Sequence, residues 1–131
     1  MKHSQAFENL VAEVKPRIKE VSIDNVVAYQ KAGRNFLLID VREDHEWQDG
    51  HAAGAMHLGR GILERDIEKV EPAYNREIVL YCGGGYRSAL AAVALHELGY
   101  TDVRSLAGGV RGWQEAGAPW DASPPHGEPT A

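Results

Sequence analysis

The sequence has little of several things, and each scarcity excludes a class of protein. Its 131 residues include one cysteine, Cys82. One cysteine excludes an internal disulfide framework and any zinc or iron–sulfur cage built from the thiolates of a single chain. It leaves a free thiol, the state that a reducing cytoplasm maintains. Long apolar runs are missing as well. The longest, residues 89–95, falls far short of the roughly 20 residues that a spanning helix needs. The N-terminus lacks the apolar core of a secretory signal. Basic excess is absent: 14 Lys and Arg face 19 Asp and Glu, for a net charge of −5. Phosphate contacts need a basic face, so nucleic acid is a poor partner. The expectation is a cytoplasmic protein that engages neither membrane nor nucleic acid.

What remains is ordinary for a globular chain. Hydrophobic residues are 44% and charged residues 25%, and the length suits one domain with a real core. Leu10, Val11, Val14 and Ile18 fall at near-helical spacing, interrupted by Pro16. Residues 1–18 read as an N-terminal helical extension. Val21 and Ile23 suggest a short strand, and Ser22 or Asp24 can cap a helix carrying Val26, Val27 and Tyr29. Residues 36–39 and 77–81 are compact apolar runs, as expected of central parallel strands buried on both faces. Between them lie a turn with Trp47, a loop feeding a short strand near Met56, and a helix with Ile62, Leu63, Ile67 and Val70. Leu90, Val93, Ala94 and Leu98 stripe a further helix. A last strand spans residues 103–106, and Gly108-Gly109 turns into a helix with Trp113. From residue 119 to 131, prolines and small polar residues suggest a flexible tail. The alternation of strand and helix gives an α/β fold with a mostly parallel sheet.

The informative segment is Tyr81-Cys82-Gly83-Gly84-Gly85-Tyr86-Arg87-Ser88. It places the thiol at the carboxyl end of a buried strand, where open α/β sheets bind ligands. Three glycines let successive N–H groups curl into a nest around one point. The next helix begins near Arg87-Ser88 and turns its positive end toward the same point. Arg87 adds a full charge. Together these favour the thiolate form of Cys82 and build an anion pocket above the sulfur. A lone cysteine at a strand end is more often a small buried hydrophobe. The combination of Cys, three Gly, Arg and Ser in one strand-to-helix turn reverses that balance. Four residues separate Cys82 from Arg87. Cysteine-dependent phosphatases carry one residue more, to encircle a phosphoryl group. The shorter ring suits a single extra sulfur on the thiolate.

In this loop and two other segments, the sequence resembles the single-domain rhodanese-like sulfurtransferases. The first is Leu38-Ile39-Asp40-Val41-Arg42 with Glu46-Trp47, Gly50-His51 and Gly54-Ala55. The second is the Cys82 loop, of sulfurtransferase length. The third is Leu106-Ala107-Gly108-Gly109 followed by Trp113. The resemblance implies a rhodanese-like domain over residues 19–118, with a five-stranded, mostly parallel sheet and helices on both faces. It implies a thiosulfate sulfurtransferase-type enzyme. Cys82 would take a sulfane sulfur from thiosulfate or a persulfide, then pass it to cyanide or a thiol in a ping-pong cycle. Gly83, Gly84, Gly85, Tyr86, Arg87 and Ser88 would bind the substrate, with Arg87 drawing in the anion and bracing the loop. Some thiosulfate-selective members carry extra basic residues in this loop. Here those positions are glycine, so thiosulfate is expected to be a weaker donor than a persulfide. No cofactor and no metal are implied.

Asp40 and Arg42 fall just past a central strand, near the pocket by the same topological rule. They either orient the loop or form an ion pair among Asp40, Arg42, Glu46 and Arg87, since buried charges are normally paired. The resemblance gives His51 a hydrogen-bonding role in its turn, not that of a general base. Tyr86 either lines the pocket mouth or packs. His45, His57 and His96 lack metal-like spacing, and Trp47, Trp113 and Trp120 are expected anchors. Two other functions compete. One is a persulfide relay or anion-binding module serving a protein partner. The other is a small phosphatase or arsenate reductase, disfavoured by the short loop and by the absence of a recognisable general acid.

Overall fold

A computed structural model describes residues 3–122. In chain order its elements are α1 (Gln5–Val14), β1 (Lys19–Val21), α2 (Ile23–Lys31), β2 (Leu37–Asp40), α3 (Asp44–Gln48), β3 (His51–Ala52), β4 (Met56–His57), α4 (Leu63–Val70), β5 (Ile78–Tyr81), α5 (Tyr86–Leu98), β6 (Val103–Leu106), α6 (Gly109–Glu115) and β7 (Trp120–Asp121). Five strands form one sheet in the order β1-β6-β5-β2-β4, and every pairing is parallel.

The central strand β5 is buried at all its positions, which is why its sequence is an unbroken apolar run. Strand alternation sends Ile78 and Leu80 to one face and Val79 and Tyr81 to the other. On the first face they meet Leu63 and Ile67 of α4 and Ala91, Ala92 and Leu95 of α5. On the second they meet Val26 of α2 and Trp113 of α6. Each fully buried Ile or Leu contributes about 1.5–3 kcal/mol of transfer free energy. Helices therefore cover both faces.

Local punctuation explains the boundaries. Ser22 caps α2 by accepting from the Asn25 N–H at 3.1 Å, so Ile23 belongs to that helix and not to β1. α1 stops at Val14, two residues before Pro16, and the chain passes through a tight 3-10 turn over Lys15–Arg17. Val11 and Val14 seat α1 against Ala89 of α5.

Residues 119–121, expected in a flexible tail, are instead tied into the fold. Trp120 and Asp121 pair antiparallel with Ala52 and His51. The Pro119 carbonyl accepts from the Trp113 indole at 2.7 Å and from the Ala53 N–H at 2.9 Å. A two-residue strand has no readable period, and its partner lies far back in the chain. The remainder of the expected tail, residues 123–131, lies outside the described residues.

Candidate active site

Cys82 follows the last residue of β5 and is 1% exposed. Its sulfur sits where two backbone N–H groups converge, Gly85 at 3.1 Å and Ser88 at 3.4 Å. Ser88 is the third residue of α5, so its N–H is one of the four that a helix start leaves without a helical partner. Gly85 adopts φ +99°, a left-handed conformation that favours glycine. The Ser88 hydroxyl, 3.6 Å from Sγ, shares a 2.8 Å hydrogen bond with the Ser105 hydroxyl on β6. Of the ring of amides expected over residues 83–88, those of Gly85 and Ser88 donate to the sulfur.

α6 holds the other side of the loop. The Val110 N–H donates to the Cys82 carbonyl at 2.8 Å, and the Arg111 N–H to the Gly83 carbonyl at 3.1 Å. Gly109 makes this approach possible with φ +53°. The turn expected at Gly108-Gly109 thus also clamps the loop.

Arg87 does not present a free charge to the pocket. Its guanidinium donates to both Glu46 oxygens, at 2.7 and 3.1 Å. Hydrogen bonding from Arg87 holds the Glu46 carboxyl at about 2, down from an ordinary 4.5. Partial burial opposes this, while a hydrogen bond from the Glu43 backbone and the charges of Arg87 and Arg42 add to it. Asp40 pairs with Arg42. The Arg42 Nε and Nη2 donate to the carboxylate at 2.8–3.0 Å, and Nη2 also donates to the Gly50 carbonyl at 2.7 Å. Burial works against the Arg42 charge, but the hydrogen bonds and charge of Asp40 outweigh it and raise the Arg42 pKa. The pair stands beside Tyr81, the residue before Cys82, through the β2–β5 register.

Above the sulfur opens a cavity of about 630 Å³. Cys82, Gly83, Gly84, Tyr86 and Arg87 line it, as do Glu46 and His45. Asp40, Arg42 and His51 do not. His51 instead stacks on Trp47 with ring centroids 3.6 Å apart and leaves Nδ1 3.5 Å from the Trp47 carbonyl. Trp47 is only half-buried, with the His57 ring 5.1 Å away. Four lining residues were not expected in the site from the sequence: His3, Phe7, Glu8 and Arg111. Only their place in the fold marks them. No group of three or more His, Cys, Asp or Glu suited to hold a metal occurs among the described residues.

These features define a class of protein, an α/β domain with one cysteine at the end of a central strand, facing an open cavity. The family model of the rhodanese-like domain matches residues 22–116, and the chain belongs to that family. It is 33% identical over 100 residues to the thiosulfate sulfurtransferase GlpE of Shewanella oneidensis, covering 76% of this chain and 96% of the relative. It is 27% identical over 124 residues to the chloroplastic rhodanese-like domain-containing protein 8 of Arabidopsis thaliana. That match covers 83% of this chain but spans just 28% of the length of the plant protein. Among solved structures, the polysulfide-sulfur transferase of Wolinella succinogenes superposes with a TM-score of 0.77 at 26% identity, covering 95% of this chain and 93% of its own. The Shewanella and Wolinella proteins are both named for sulfur transfer.

Proposed function

We propose that the protein is a sulfurtransferase that carries a sulfane sulfur on Cys82. The observation that carries this reading is the pair of N–H groups of Gly85 and Ser88 aimed at a sulfur that faces a cavity. Preformed donors of this kind stabilise an anionic sulfur without reorganisation. In the first half-reaction the Cys82 thiolate attacks the outer sulfur of the donor. A bond from Sγ to that sulfur forms, the donor's S–S bond breaks, and its electron pair leaves with sulfite or a thiolate. In the second, an acceptor attacks the same outer sulfur, and the electron pair of the Sγ–S bond returns to Cys82.

Gly83, Gly84, Tyr86 and Arg87 form the walls around the substrate. Arg87 fixes the loop through Glu46, and Asp40 with Arg42 holds the strand end beneath it. Because Glu46 already matches the Arg87 charge, Arg87 adds little attraction for a dianion such as thiosulfate. This supports a persulfide as the preferred donor, discharged onto cyanide or a thiol.

Intact mass after incubation with thiosulfate or an organic persulfide tests the reading. The reduced protein gains one sulfur atom, and Cys82→Ser gains none while keeping its thermal transition. Failure to gain sulfur from either donor refutes it. Slow discharge onto small thiols but fast discharge onto one protein would assign the relay role.

A further inference from the structure

Part of the cavity wall comes from outside the matched family segment. Phe7 and Tyr86 stack with centroids 5.6 Å apart, and the His3 ring closes on both, at 5.1 Å from Phe7 and 4.4 Å from Tyr86. His3 and Phe7 lie before residue 22, where the family match begins. Two features fix this wall. The Ser4 hydroxyl caps α1 by accepting from the Phe7 N–H at 3.2 Å, and Val11 and Val14 anchor the helix on α5. From α6, Arg111 joins the same cavity. It forms no ion pair among the described residues, whereas Arg87 is matched by Glu46. The volume of about 630 Å³ falls within the range of about 300–1,000 Å³ typical of sites for organic ligands, far beyond what a small inorganic oxyanion fills.

We infer that His3, Phe7 and Tyr86, together with Arg111, form an acceptor subsite for an organic thiol that bears a carboxylate and a flat apolar body. The inference rests on the Cys82 persulfide reading and adds the selectivity of its second half-reaction. The apolar body lies on the Phe7 and Tyr86 rings, which favour offset stacking. The carboxylate meets Arg111 in a charge-assisted hydrogen bond. Glu8 lines the same cavity, so a second negative charge on the ligand is penalised. The thiolate so held attacks the outer sulfur of the Cys82 persulfide. A new S–S bond forms on the acceptor, the Sγ–S bond breaks, and Cys82 recovers the electron pair. The acceptor leaves as its own persulfide.

The test uses the full chain. Cys82 is loaded to the persulfide and checked by intact mass, then discharged with 4-mercaptophenylacetate or 2-mercaptoethanol. The quantity read is the ratio of kcat/KM for the two thiols. Comparing one thiol across variants removes differences in intrinsic nucleophilicity. Arg111→Gln lowers the ratio about tenfold, equivalent to about 1.4 kcal/mol. Phe7→Ala lowers it several-fold, mainly through the KM for the aromatic thiol, and Phe7→Leu, which keeps the packing without the flat ring, also lowers it. Arg111 is exposed on α6, so its variant keeps the test valid if Phe7→Ala loosens α1. A ratio within twofold of wild type in a folded Arg111→Gln protein overturns the subsite. If the persulfide forms and cyanide discharges it, that failure belongs to the subsite alone. If no persulfide forms, the underlying reading fails with it.

Discussion

Gly109→Ala isolates the contact between α6 and the cysteine loop. Two costs add at this position. A non-glycine residue held at φ +53° loses about 1–2 kcal/mol to left-handed strain. A Cβ built on Gly109 would also collide with the Cys82 carbonyl oxygen and stand 2.8 Å from the carbonyl carbon and oxygen of Gly83. Those are backbone atoms and cannot rotate away, so overpacking adds about 1–3 kcal/mol. The sum is about 2–5 kcal/mol, or a fall in Tm of roughly 8–20 °C for a chain of this size. Gly33→Ala is the matched control. Its φ is +68°, with nothing within 4 Å of an added Cβ, so it bears the strain alone. Activity separates the two further. Relief of the clash moves the Cys82 carbonyl, and with it Sγ relative to the Gly85 and Ser88 N–H groups. Misplacement on this scale costs about tenfold or more in rate. Differential scanning calorimetry and the single-turnover rate of persulfide formation are the assays. A Gly109→Ala protein that matches Gly33→Ala in Tm and wild type in rate would refute the clamp.

Other outcomes follow from the charges around the site. Glu46 titrates at about 2 in the folded chain against 4.5 ordinarily, so the stability it adds is fully present above about pH 4.5 and is lost as pH falls toward 2. The stability difference between wild type and Glu46→Gln is therefore constant at neutral pH, at about 1–3 kcal/mol, and shrinks as pH falls from 4.5 through 2; a difference that does not shrink over that range refutes the pairing. Asp40→Asn leaves the Arg42 guanidinium, 6% exposed, without its carboxylate. Urea unfolding is expected to show a loss of about 3–5 kcal/mol, and a loss below about 1 kcal/mol would mean that the pair is dispensable.

Local signals account for most of what could be read before the structure. The apolar runs at residues 36–39 and 77–81 announced central strands because burial on both faces removes any alternation. The Cys82 loop was legible because glycine, a helix start and a thiol each have local chemistry. The neighbours of that loop were not. Glu46 and Arg87 are 41 positions apart and bind each other at 2.7 Å; the sequence showed both charges but left their partners open. Asp40 and Arg42, two residues apart, were legible as candidates for a pair, and the fold selected that pairing. His51 was expected to hydrogen-bond within its turn, and its Nδ1 lies 3.5 Å from the Trp47 carbonyl while its ring stacks on Trp47, away from the cavity. β7 escaped notice because pairing with a distant two-residue strand leaves no periodic trace.

The sequence by itself determined the parallel α/β order, the position of the single thiol and the length of its loop, since each depends on residues close together in the chain. The tertiary structure decided what surrounds that thiol. It brought His3 from the segment before α1, Phe7 from α1 and Arg111 from α6 to the cavity, matched Arg87 with Glu46, and set Gly109 against the Cys82 carbonyl. Those contacts arise from packing helices on both faces of one sheet, and packing joins residues without regard to their separation in sequence.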